Sequence, residues 1–135
     1  MEFSDVIKNR YSCKKFSSEQ IGKDKLDAIL EAGRVAPTAK NLQEQHIYVV
    51  QSESALETID KLTPCRYNAP TVLIVAYNKN NVFTYLGDKR NSGIEDATIV
   101  ATHLMLAAYN EGVDSCWINC FNPDELAKAF NLPED

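Results

Sequence analysis

Apolar residues recur at helical spacing in three segments of the first half of the chain. Residues 4–9 predict a short helix with one apolar side, and residues 54–62 predict another. Residues 23–36 predict a longer one, because the i, i+3, i+4, i+7 positions are Leu26, Ile29, Leu30 and Gly33. Pro37 lacks a backbone donor and restricts the residue before it, so this helix is expected to end at Ala36.

Three other segments have the composition of strands. Residues 46–51 are rich in β-branched and aromatic side chains, and residues 113–119 are predicted to be the last strand. Residues 71–77 are apolar on both faces, which predicts a central position in the sheet. Residues 78–92 are polar and rich in asparagine, so we expect a surface loop there.

The most apolar segment, residues 94–111, predicts a long helix that ends where helices favour glycine, at Gly112. Its apolar residues lie nearly all round, so it should be buried within this domain or against another subunit. His103, on this helix, is expected to be an interior or interface histidine. A final helix should begin with Asn122 as its cap and Pro123 as its first residue, and extend to Phe130.

This order of elements predicts one α+β domain over residues 1–135, with helices layered on a sheet of about three strands. Such a sheet has an open edge, which proteins normally cover. We therefore expect either a C-terminal segment that this sequence lacks or a strand donated by a partner.

Charge excludes some partners. The net charge is −5, which disfavours nucleic acid and anionic membrane surfaces. No apolar run reaches the roughly 20 residues that span a bilayer, and the N-terminus has no secretory leader, so we expect a soluble cytoplasmic protein. The cysteines are expected to be thiols, with no spacing typical of zinc ligands; they are Cys13, Cys65, Cys116 and Cys120.

Two short stretches carry candidate chemistry. Residues 10–16, Arg-Tyr-Ser-Cys-Lys-Lys-Phe, concentrate cations and a hydroxyl in a turn of an otherwise acidic chain. An Arg fork and hydroxyl donors suit a phosphate, although a solvated basic face is the alternative. Residues 36–43, Ala-Pro-Thr-Ala-Lys-Asn-Leu-Gln, offer small residues and amides where a helix stops. Asn41 and Gln43 are candidate ligand contacts; the alternative is local hydrogen bonding to the backbone.

Together with a third block, residues 96–121, these stretches resemble the nitroreductase family of FMN-dependent oxidoreductases. The first block is similar to the family's Arg-x-Ser-x-Arg/Lys-x-Phe motif, and the second to its Ala-Pro-Ser-x-x-Asn-x-Gln loop. In the third, a long helix leads into Gly112-Val113-Asp114-Ser115-Cys116-Trp117-Ile118, similar to the family's Gly-Leu-Gly-x-Cys-Trp-Ile strand. The order and spacing hold over essentially the whole chain.

The resemblance implies a three-layer α+β fold with a central mixed sheet flanked by helices. It also implies an obligate homodimer, in which the long central helix forms the interface and two FMN sites are built from both chains. Arg10 and Ser12 would meet the FMN phosphate and ribityl chain, and Lys14 the pyrimidine edge of the ring. The other expected FMN contacts are Tyr11, Pro37, Thr38, Ala39, Asn41, Gln43, Ile118, Asn119 and Cys120.

The chain departs from the family pattern in three respects. Cys120 stands where the family often has glycine, so a thiol is expected near the ring. The family's late basic residues that hold the phosphate have no counterpart, and Lys40 and Glu44 match no pattern that assigns them a role. Cys116 and Cys120 are interpreted as buried thiols, Trp117 as a core residue and Lys15 as a bystander.

The implied activity is transfer of hydride from NADH or NADPH to FMN, followed by reduction of a nitroaromatic, quinone or related acceptor in a ping-pong reaction. No catalytic side chain is expected, because the flavin carries the chemistry. The chain has no Gly-x-Gly-x-x-Gly sequence, so a Rossmann site for the nicotinamide is not predicted. The alternatives are a flavin-binding module with little turnover, serving as sensor, store or assembly partner, and a cofactor-free interaction domain.

Overall fold

A computed structural model describes residues 1–135 as five helices and one small sheet. The helices are α1 (Phe3–Asn9), α2 (Lys23–Arg34), α3 (Glu53–Leu62), α4 (Gly93–Asn110) and α5 (Pro123–Ala129). The strands are β1 (Gln45–Val50) and β2 (Val72–Tyr77). All five predicted helices and the α+β class are confirmed, with helix ends within two residues of those expected.

The sheet has two antiparallel strands, with register from Gln45 opposite Tyr77 to Val50 opposite Val72. The predicted third strand, residues 113–119, is wrong. That segment makes a single parallel bridge, Ser115 with Ser12, in which the Cys13 N–H donates to the Ser115 carbonyl at 2.9 Å. A ladder needs successive paired residues, and beyond this single bridge residues 113–119 have no strand partner.

The main core lies where α2 and the sheet pack on α4. Its fully buried members are Ile29, Ala36, Val100, Leu104 and Ala108. Gly33 permits this approach, because a Cβ at that position would stand 2.8 Å from Leu104 and 2.9 Å from Ile47. A second, smaller cluster packs α3 and α5 on the sheet around Val50, Ile59 and Ile74.

Both ends of α4 are determined by glycine. At the start, Gly93 lies under the Tyr77 ring, where a Cβ would come within 2.2 Å of that ring. At the end, Gly112 adopts a φ of 74°, and the next N–H, from Val113, donates to Ala108 at 2.8 Å. This pattern is a Schellman motif, so the predicted glycine stop is confirmed. At α5, the Asn122 side chain accepts from the N–H groups of Asp124 and Glu125, which confirms the predicted cap.

The solvent-accessible surface is 8939 Å². A monomer of 15.1 kDa is expected to expose about 7100 Å², so this chain exposes about a quarter more. Large apolar residues contribute to the excess, among them Phe3, Ile94 and Leu86. Trp117 is 41% exposed, so its predicted core position is wrong. None of the helices combines the length and apolar character needed to span a membrane.

Candidate cofactor-binding site

Arg10 lies just after α1, at the helix C-cap. Its Nε atom is buried and has no hydrogen-bond partner. The three ion pairs of the chain are formed elsewhere, by Lys23–Asp27, Arg34–Glu31 and Arg66–Asp60. A buried donor without an acceptor is costly, and the chain supplies no acceptor for this N–H.

The single bridge between Ser12 and Ser115 joins the first and third motif blocks. Cys13 points inward and is buried, while Ser12 and Lys14 on either side of it are exposed and share the opposite face. Tyr11 donates its hydroxyl to Asp114 at 3.0 Å, a bond that raises the pKa of Tyr11. Its hydroxyl is therefore engaged within the chain, and the open contacts on this strand-like stretch are Ser12 and Lys14.

A group of thiols stands close to Lys14. The hydrogen bond from Tyr67 lowers the pKa of Cys65, and Cys120 and the charge of Lys14 add smaller effects in the same direction. All four cysteines are free; Cys120 is exposed and Cys116 half-buried, so their expected burial is wrong. The exposed Asn119 accepts from the Trp117 indole at 2.9 Å, and Ile118 beside it is half-buried. Lys14 and Cys120 thus both influence the Cys65 thiol.

The second block forms a strained loop, residues 38–43. Three of its non-glycine residues have left-handed φ angles, namely Lys40 (57°), Asn41 (53°) and Gln43 (52°). The Thr38 hydroxyl accepts from the Gln43 N–H at 2.9 Å, and the Asp96 carboxylate accepts from the Ala39 N–H at 2.9 Å. Non-glycine residues keep such angles only where the surroundings hold them, and they cluster at functional sites.

The exposed side chains of this loop are free to meet a ligand. Asn41 and Gln43 make no side-chain hydrogen bond within the chain, so the alternative of local bonding to the backbone is not what the structure shows. Pro37 is exposed beside them, and Thr38 and Ala39 are half-buried. Thr38 therefore does more than begin a loop, because its hydroxyl closes it.

Beneath the loop lies a buried acidic pair that the sequence analysis missed. Glu44 and Asp96 are each only 2% exposed, and the Ser92 hydroxyl donates to Asp96 at 2.6 Å. Burial raises the pKa of Glu44, and the neighbouring Asp96 raises it further. The sequence feature that could have indicated this pair is Asp96 itself, a carboxylate on a largely apolar helix.

Within one chain the two halves of the predicted site are connected to opposite ends of α4. The loop is anchored to Asp96 at the start of α4, whereas Ser115 follows the end of that helix at Asn110. The helix between Asp96 and Asn110 is about 20 Å long. A large concavity, about 1410 Å³ between α4, β2 and residues 112–121, is lined by neither Arg10 nor the loop.

Relatives of the chain have closely similar folds. A nitroreductase family protein of Clostridium difficile 630 is 34% identical, with a TM-score of 0.95 over 99% of this chain and 77% of that one. An FMN-dependent nitroreductase of Clostridium difficile R20291 is 28% identical, with a TM-score of 0.80 over 97% and 79%. The protein named "Putative NAD(P)H nitroreductase YodC" of Bacillus subtilis strain 168 is 28% identical over 96% of this chain and 82% of its own length.

The family model described as "Nitroreductase family" matches residues 7–64 and 62–135, which together cover nearly the whole chain. The fold similarity extends over the same residues, including all three motif blocks. The chain therefore belongs to the Nitroreductase family.

Proposed function

We propose that this chain is an FMN-dependent oxidoreductase that accepts hydride from NADH or NADPH and passes electrons to a nitroaromatic, quinone or related acceptor. The observation that carries the proposal is the buried, unpartnered Nε of Arg10, next to the exposed Ser12 and Lys14. Arg binds phosphate through two parallel N–H donors, and a hydroxyl adds a third. These groups fit the phosphate and ribityl oxygens of FMN.

Each residue then has a defined part. Arg10 holds the phosphate, Ser12 donates to the ribityl chain, and Lys14 stands at the pyrimidine edge, where a cation tunes the electronics of a flavin. From the other half of the site, the exposed amides of Asn41 and Gln43 supply hydrogen bonds to ring polar atoms. Bound FMN would supply the hydride-accepting ring, and the protein supplies position, charge and exclusion of water.

A single open flavin face accounts for both half-reactions. The five glycines are scattered and form no Gly-x-Gly-x-x-Gly sequence, so a separate Rossmann site for the nicotinamide donor is not supported. Donor and acceptor would occupy the same face in turn, which is the basis of a ping-pong reaction. Four free thiols suit a reducing compartment, and we place the protein in the cytoplasm on that ground.

The site is proposed to form between two copies of the chain. Arg10 and Lys14 of one copy would face the 38–43 loop of its partner, since within a copy the loop is anchored at the start of α4 and the Ser12–Ser115 bridge follows its end. The large accessible surface and the exposed apolar side chains support the same arrangement. The proposed assembly is a homodimer in which each flavin contacts both chains.

Absorbance and native mass of the purified protein test the proposal. A yellow dimer that is bleached by NADH or NADPH, and reoxidised by a quinone or nitro compound, is the expected result. A yellow dimer that neither donor bleaches would instead indicate the flavin-binding module without turnover. A colourless protein that leaves added FMN free would contradict both and favour a cofactor-free interaction domain.

A further inference from the structure

Glu44 is the largest fully buried side chain of the protein, and the motif of residues 36–43 beside it assigns it no role. Both of its carboxyl oxygens are buried without a hydrogen-bond partner, and burial, followed by the neighbouring carboxyl of Asp96, raises its pKa. Two buried carboxylates that face each other cannot both stay ionised without a large cost. A hydrogen bond between them exists only when one of the two carries a proton.

The proton belongs to Glu44. Asp96 already accepts hydrogen bonds from the Ala39 N–H at 2.9 Å and the Ser92 hydroxyl at 2.6 Å, and both favour its ionised form. Although burial opposes the shift, hydrogen bonds from Glu44, Ser92 and Ala39 lower the pKa of Asp96. Burial, followed by the contact with Asp96, raises the pKa of Glu44.

Through this pair, both ends of the 38–43 loop are tied to one point on α4. Ala39 near the start of the loop donates its N–H to Asp96, and Glu44 directly follows the last loop residue, Gln43. The Glu44 carbonyl also accepts from the Asn78 N–H at 2.9 Å, which fixes the backbone beside β2. The three left-handed residues between these ties need such support to persist.

We propose that Glu44 is a positioning residue whose proton, shared with Asp96, holds the 38–43 loop in the conformation that receives the flavin. The expected effect on cofactor binding rests on the proposed function, whereas the expected effect on folding stability does not. When the proton leaves, two buried anions remain under the loop, and their repulsion opposes the arrangement in which Asp96 accepts from the Ala39 N–H. Cofactor retention is thereby linked to pH through a residue that does not touch the cofactor.

The groups around the pair define the direction of the pH dependence. No basic side chain contributes to the pKa of either carboxyl. Tyr85, whose hydroxyl donates to Glu95 at 2.7 Å, faces Asp96 from the 78–92 loop, and from β2 the Tyr77 ring packs on Gly93. Glu44 therefore has no cation to compensate for loss of its proton.

The two pKa shifts act at opposite ends of the pH range. Because the folded-state pKa of Glu44 is raised, its stabilisation is complete at acid pH and is lost as pH rises through that raised pKa. Because the pKa of Asp96 is lowered, its stabilisation is lost only as pH falls through that lowered pKa. Of these two carboxyls, only Glu44 therefore causes a loss of stability as pH rises.

Glu44→Gln separates the shared proton from a merely structural role. The amide keeps the shape and donates an N–H to Asp96 at every pH. The melting temperature of the apoprotein and its Kd for FMN are measured from about pH 5.5 to about pH 9 in the wild type and this variant, with exposed Glu57→Gln as the control. In the wild type and the control, we expect a falling melting temperature and a Kd that rises up to about tenfold per pH unit above the Glu44 pKa.

In Glu44→Gln, we expect neither the fall in melting temperature nor the rise in Kd for FMN at alkaline pH. Parallel profiles in wild type and Glu44→Gln would overturn the inference. If no form binds FMN, the proposed function fails, and the melting profiles alone decide the inference.

Infrared spectroscopy of the wild type gives a check that needs no variant. A buried carboxylic acid band that disappears as pH rises supports the shared proton, and its absence throughout the range refutes it.

Discussion

At the residue scale, Arg10 is the cation whose surroundings most clearly require an external anion. Its Nε is buried without an acceptor, whereas Arg34 and Arg66 are paired with Glu31 and Asp60. An exposed cation could satisfy its donors with water, but a buried Nε cannot. The binding energy of the phosphate should therefore depend on this side chain more than on the exposed lysines nearby.

Arg10→Ala should weaken FMN binding by about 2 to 4 kcal/mol, which is about 30-fold to 1000-fold in Kd, because the phosphate loses a bidentate partner. Titration of flavin fluorescence with the apoprotein measures the change. Lys15→Ala is the matched control, since Lys15 is an exposed cation of the same stretch and is expected to have little effect. An unchanged Kd in Arg10→Ala would contradict the phosphate assignment.

Residue types in a motif could be predicted from the sequence, but their pairing with distant residues could not. Ser12, Lys14 and Asn41 were found because each stands in a short pattern with a chemical meaning. Glu44 was left without a role, since its partner Asp96 lies 52 positions further along the chain. Only the folded structure anchors the loop on α4 at Asp96, where burial and the neighbouring Asp96 raise the pKa of Glu44.

At the element scale, the sequence predicts the helices well because their signals are local. Apolar spacing, Pro123 and Gly112 act within one or two turns, and each of these boundaries is where the pattern places it. A strand needs a partner elsewhere, so its composition alone is insufficient. Residues 113–119 have the composition, but they find only Ser12 and form a single bridge.

Gly93→Ala should destabilise the protein by about 1 to 3 kcal/mol, since the new Cβ would lie 2.2 Å from the Tyr77 ring and must displace it. Chemical denaturation of the apoprotein measures the change. Gly22→Ala is the control, because a Cβ there meets nothing within 4 Å and its φ of −66° suits any residue. Equal stability of the two variants would show that α4 can begin without close contact to β2.

At the scale of the whole molecule, the separation of the two half-sites is the main reason to expect a dimer. The length of α4 could be predicted from the sequence, but the bridge between Ser12 and Ser115 could not, because these residues lie far apart along the chain. The surface, about a quarter larger than expected for a monomer, is a second and independent argument. Both support the proposal that one copy contributes half of each of two sites.

Mixed dimers of Arg10→Ala and Asn41→Ala subunits distinguish a shared site from a site within one chain. Asn41→Ala is expected to weaken FMN binding on its own, because its exposed amide has no partner in the chain. If the site is shared, the mixed dimer has one site with both substitutions and one site with neither. Co-expression of the two subunits with different tags, followed by tandem purification, should therefore recover one tightly bound FMN per dimer.

Dimers of either single variant provide the controls, and each should bind FMN weakly at both sites. If the site lay within one chain, every site of the mixed dimer would retain one lesion, and no tight binding would return. The flavin content of the mixed dimer, measured by absorbance against protein concentration, thus decides between the two geometries. Its value as a test comes from the opposite outcomes that the two geometries give for the same pair of substitutions.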